Sequence, residues 1–152
     1  MRQHGLRIGI AAALGLLVLG LSGRAHAGDF VFVFVKSTQN DTVQANKEDL
    51  RDIFTGKKTS WKGGQKVEIG LGPNGSAELK WLAQELIGAS EDILLAKIKQ
   101  EVFKGDMKKP TPVATAADCF ALVKHSPGGI CVVDEASAKS VPDGAAVLKY
   151  TK

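Results

Sequence analysis

An α/β fold, with helices layered on both faces of a mainly parallel sheet, is the class this sequence predicts, on three observations. Phe30 to Val35 is a continuous run of aromatic and β-branched residues, the pattern of a strand covered on both faces, so a buried parallel strand is expected. Ile130 to Val133 is a second such run, set off by the turn Pro127-Gly128-Gly129. Between them lie segments whose apolar residues recur at helical spacing. Strands alternating with helices argue for a three-layer αβα sandwich.

The elements follow in order. Met1 to Ala27 reads as a leader rather than as part of the fold. Arg2, His4 and Arg7 form a positive start, Ile8 to Leu21 is an apolar run too short for an ordinary spanning helix, and Ala25-His26-Ala27 is a small-x-small cleavage site. Cleavage predicts an exported, periplasmic chain of one domain, residues 28 to 152, with no membrane insertion once the leader is gone. It also removes Arg2, Arg7 and Arg24 and no acidic residue, taking the 20 basic residues to 17 against 16 acidic. The formal charge of +4 on the whole chain is therefore poor support for nucleic-acid binding, and no basic stripe interleaved with aromatics is visible.

After the first strand and a polar loop, Leu50, Ile53 and Phe54 share one helix face, with Asn46 and Asp49 spaced as a capping box and Gly56 as the stop. Lys57, Lys58 and Trp61 follow. Val67, Ile69 and Leu71 alternate as a strand that breaks at Gly72-Pro73-Asn74-Gly75. Ser76 then caps a helix carrying Leu79, Leu82, Ala83, Leu86 and Ile87 and stopping at Gly88. Ser90 opens another, with Glu91 and Asp92 in its first turn and Leu94, Leu95, Ile98 and Val102 as its inner face. Gly105 to Pro112 reads as a loop. Thr115 and Asp118 begin a helix through Leu122 and Val123, and Ala146 to Tyr150 is a last short strand.

The motifs exclude more than they assign. Gly70-Leu71-Gly72-Pro73-Asn74-Gly75 matches G-x-G-x-x-G, but a dinucleotide site needs a second strand after the helix, and here a second helix follows. The same loop enters a helix N-terminus, where unpaired amides and the positive dipole end attract anions. Asn74, Gly75, Ser76 and the amides of Ala77 and Glu78 can cup a small oxyanion; alternatively, Ser76 is only the helix cap. Glu78 opposes an anion there. His125 is the single histidine left after cleavage, so no histidine-based metal site or catalytic triad is available and no cofactor is indicated. Cys119 and Cys131, twelve residues apart in an oxidising compartment, predict a disulfide, with two buried thiols as the alternative.

Taken together, these segments resemble the periplasmic phosphate-binding proteins of phosphate ABC transporters over nearly the whole exported chain. The pattern L-x-x-I-F-x-G-K-x-x-x-W is matched by Leu50, Ile53, Phe54, Gly56, Lys57 and Trp61. The strand Phe30 to Val35 with its small polar loop, the segment Val67 to Glu78, and Pro127 to Val133 match the family's first strand, anion loop and P-G-A-I-G-Y-V strand. The resemblance implies one lobe of a type 2 periplasmic binding protein. It further implies a non-enzymatic substrate-binding role in transport, and phosphate or another oxyanion held by Asn74, Gly75, Ser76 and Ala77 with Ser37 and Thr38. Two departures stand out. Gly72 replaces the family's arginine, and Ala77-Glu78 replaces its Gly-Thr. A single lobe also cannot close over a ligand, so a buried phosphate would require a homodimer or a partner protein. The alternative expectation is an interaction module that has lost its ligand and docks on an envelope protein.

Overall fold

The computed structural model describes residues 29–35 and 47–149. The leader, Ser37, Thr38 and Asn46 lie outside the described residues. Five strands form one open sheet: β1 (Phe30–Val35), β2 (Glu68–Leu71), β3 (Thr111–Pro112), β4 (Gly129–Asp134) and β5 (Ala145–Lys149). Among the described residues four helices accompany them: α1 (Lys47–Phe54), α2 (Ala77–Ile87), α3 (Glu91–Lys104) and α4 (Ala116–His125). A short 3-10 turn covers Ser137–Ser140.

The strand order is β3-β2-β4-β1-β5. β2 runs parallel to both β3 and β4, whereas β1 is antiparallel to both β4 and β5. Four strands therefore share one direction and β1 alone is reversed, so the expected mainly parallel sheet is present. The expectation that β1 itself is parallel is corrected. An uninterrupted apolar run reports cover on both faces, and strand direction leaves no trace in that pattern.

That cover is supplied by two cores. Phe32 and Phe34 face α1, α2 and α3, where they join Leu50, Ile53 and Phe54 of α1 and Leu79, Leu82 and Leu86 of α2. Phe30 and Phe32 lie 5.5 and 5.7 Å from the Trp81 ring, and Phe32 lies 5.7 Å from Phe54. Val31 and Val33 face the other way, against Cys119, Leu122 and Val123 of α4. The period-two alternation of one strand thus feeds both outer layers of the sandwich. Cys119 and Cys131 are joined, Cα atoms 5.8 Å apart, tying α4 to β4.

The helix ends follow the local sequence. Ser76 accepts the Leu79 amide at α2, and Thr115 and Asp118 complete a reciprocal capping box at α4. β3 corrects the expected loop from Gly105 to Pro112. Two residues, the second a proline, carry no strand periodicity, and they are recruited by pairing with Gly70 and Leu71 of β2. The last strand begins at Ala145, one residue before its expected start.

Candidate functional site

In an open sheet the carboxyl ends of parallel strands, at the point where the winding reverses, form a natural crevice. Here β2 lies between β3 and β4, so the chain leaves β2 to one side and returns to the other. The turns after β2, β3 and β4 meet there around a small crevice of about 60 Å³, lined by Gly72, Ser76, Glu78, Thr115 and Asp134 among others. The N-termini of α2 and α4 both open onto it.

The sequence-predicted loop is at this edge. Asn74, Gly75, Ser76 and Ala77 are consecutive, Gly75 has φ +83°, and Ser76 is the N-cap of α2. Their hydrogen bonds, however, are largely internal. The Ser76 amide donates to the Pro73 carbonyl at 3.0 Å, and its Oγ accepts from the Leu79 amide at 3.2 Å. The Gly75 amide donates to Glu91 Oε1 at 2.9 Å. Glu91 begins α3 and reaches back across the loop, so the Gly75 amide is engaged by a carboxylate of the chain. The G-x-G-x-x-G glycines are also explained by packing. A Cβ on Gly70 would lie 2.7 to 2.9 Å from Val113, Leu122 and Cys131, and one on Gly72 would lie 2.6 Å from Ser76 Oγ. An arginine at position 72 would displace the serine it is expected to assist.

The neighbouring turns are closed in the same way. Asp118 accepts from the Ala114 amide at 3.1 Å and from the Thr115 amide and Oγ at 2.9 Å each. Asp134 accepts from Ser137 Oγ and from the Ser137 amide at 2.8 Å. The Ser137 hydroxyl, followed by its amide, holds the Asp134 carboxyl below its ordinary range, so it is an anion at neutral pH. Sequence reasoning missed Glu91 and Asp134 as parts of this edge. Glu91 read only as a first-turn charge on α3, since the contact with Gly75 depends on how α2 and α3 pack. Asp118 was legible as a cap, through its spacing from Thr115.

Ser37 and Thr38 lie outside the described residues, so no geometry joins them to Ser76. β1 reaches Val35 opposite Ala145, with Phe34 opposite Ile130, at the edge where β4 begins and away from Ser76.

That opposite edge holds the remaining motif. Leu50, Ile53, Phe54 and Trp61 are buried in the core. Trp61 Nε1 donates to the Gly128 carbonyl at 2.9 Å, and its ring stacks on Phe34 with centroids 6.2 Å apart. Lys57 and Lys58 lie 3.9 and 3.0 Å from Asp52 and Asp49. Glu68 accepts from Lys108 at 2.6 Å and Ser126 at 2.7 Å, bonds that lower its pKa. The pattern running from Leu50 to Trp61 is therefore packing and anchoring.

The fold resembles part of a solved transport receptor. An ABC-type phosphate transport receptor from Vibrio cholerae superposes with a TM-score of 0.51 at 16% sequence identity, over 80% of this chain and 45% of the receptor. The chain thus spans less than half the length of that receptor, and the likeness is one of fold, a distant relationship. No family model and no curated protein sequence matches the chain. Among the described residues, no helix is long and apolar enough to cross a membrane.

Proposed function

We propose that this chain is an exported, non-enzymatic module with a solute-binding fold that works in the periplasm by docking on an envelope protein, its oxyanion loop closed by its own carboxylates. The bond from the Gly75 amide to Glu91 carries this reading. Asp118 and Asp134 close the adjoining turns, and Glu78 lines the crevice beside them. An oxyanion entering there meets like charge and amides already engaged. The leader-like start supports export, and the likeness to a receptor supports a binding role over a catalytic one.

A second reading, phosphate or another oxyanion at Asn74 to Ala77, draws on one observation. Two helix N-termini converge on the crevice, and a helix N-terminus carries first-turn amides without intrahelical partners. Thermal unfolding of the chain from Gly28, with and without phosphate at fixed ionic strength, separates the two. A ligand about a thousand-fold above its Kd stabilises by about 4 kcal/mol, several degrees for a domain of this size. The docking reading expects no phosphate-specific shift, and a single partner cross-linked in intact cells that then binds the purified chain saturably. A shift given by phosphate and withheld by chloride would restore the oxyanion reading.

A further inference from the structure

Beside the closed loop lies a much larger space. A groove of about 520 Å³ runs between α3 and the β3 edge, within the range of roughly 300–1,000 Å³ usual for small-molecule sites. Its helical wall is Leu95, Ile98 and Val102, at the i, i+3, i+7 spacing of one face. Leu95 and Val102 are half-buried and lean on the main core, leaving their outer surfaces to the groove.

Charge and edge chemistry narrow the occupant. Lys99 stands on the helical wall and Lys109 on the strand wall, both exposed, and no acidic residue lines the groove. Neither lysine has an ion-pair partner among the described residues, whereas the adjacent Lys108 is paired with Glu68. The Val113 amide points inward to the Leu71 carbonyl at 2.8 Å, so residues 110 and 112 turn their backbone groups outward. Both are proline, so this sheet edge offers no N–H to an added strand at either position. A peptide extending the sheet is thus disfavoured, while an apolar chain needing no backbone donor is not.

We propose that the groove between α3 and β3 binds a free medium-chain carboxylate, its alkyl chain along Leu95 and Val102 and its carboxylate between Lys99 and Lys109. The stretch from Leu95 to Val102 rises roughly 10 Å along the helix, matching an extended alkyl chain rather than a small ion. Gly72, Pro73 and Asn74 close one end of the groove, but the proposal goes beyond the docking reading and stands without it, because it uses neither the Gly75 amide nor a protein partner.

Decanoate is the probe, titrated into the full exported chain by calorimetry below its micelle concentration. One saturable site is expected, undisturbed by phosphate. The double substitution Lys99→Glu with Lys109→Glu should weaken decanoate by about tenfold while leaving decan-1-ol binding in place, since exposed charge contacts contribute modestly each. Val102→Trp, which extends a half-buried side chain into the groove, should abolish both with native-like thermal unfolding. Absence of saturable binding, or equal affinity in the charge-reversed protein, would overturn the proposal. So would a concentration-dependent dimer that excludes decanoate, which would make a second copy of the chain the occupant.

Discussion

The two edges of the sheet solve the same problem with different chemistry. Where β2 and β4 begin, Trp61 is buried against Phe34 and gives its indole N–H to the Gly128 carbonyl, so the side-chain share of loop closure is apolar area plus one buried hydrogen bond. Where β2, β3 and β4 end, closure rests on Glu91, Asp118 and Asp134, each accepting loop amides in partly exposed turns. Apolar area removed from water is hard to replace, whereas water can substitute for an exposed carboxylate. The first edge should therefore govern stability, and the second should govern what the protein can bind.

The largest break is expected at the first edge. Trp61→Ala should cost about 3–5 kcal/mol, and Trp61→Phe, which keeps the stack and removes the indole bond to a Gly128 carbonyl that still accepts the Glu68 amide, about 0.5–1.5 kcal/mol. Urea unfolding checks both, with Trp81 left as the fluorophore. Next comes the Cys119–Cys131 bridge, which ties the layer behind both edges. Its replacement by a serine pair should cost about 3 kcal/mol on the loop-entropy account, read as a lower midpoint in the same titration. At the second edge, Asp118→Ala removes one half of the capping box at α4 and should cost about 1–2 kcal/mol. Equal costs for Trp61→Ala and Asp118→Ala would erase the distinction between the edges.

Acid sharpens the comparison, because each edge has one carboxyl with a lowered pKa. Glu68 is held down by its bond from Lys108 and then Ser126, and Asp134 by Ser137. A depressed folded-state pKa means the unfolded chain binds the proton first. The stability each group contributes is therefore fully present above the ordinary carboxylate pKa of about 4, and is lost as pH falls through the lower folded value. Stability measured from neutral pH downward should stay level until that window and then decline. Glu68→Gln and Asp134→Asn should each flatten part of the decline, and a decline unchanged in both would assign it elsewhere.

How much of this was legible depends on the range of the interaction. Local signals were sound: Ser76 and Thr115 as caps, the Phe30 to Val35 strand, and the Cys119–Cys131 pairing. Contacts set by tertiary placement were not. The reversal of β1 needs its neighbours, β3 exists only because β2 offers it partners, and Glu91 reaches Gly75 only after α3 folds back on α2. The Leu50 to Trp61 pattern was visible and resembled a receptor segment, yet its residues serve the core. A pattern shared with a binding protein can report the scaffold alone, and Gly72, where a Cβ would lie 2.6 Å from Ser76 Oγ, is a glycine for packing reasons.

The smallest stability effect tests that point most directly. Glu91 Oε1 holds the Gly75 amide, while Oε2 is buried without a hydrogen-bond partner among the described residues. The bond gained and the desolvation cost of the second oxygen oppose one another, so Glu91→Ala should change stability by less than about 1 kcal/mol. Its effect on binding should be larger. The substitution frees the Gly75 amide, removes a negative charge from the loop, and leaves Ser76 and α2 in place. If the carboxylate is what closes the loop, Glu91→Ala should acquire a phosphate-dependent thermal shift that the parent chain lacks. If neither protein responds, Glu78 and Asp134 suffice to exclude anions, and Glu91 acts only to hold α3 against the loop.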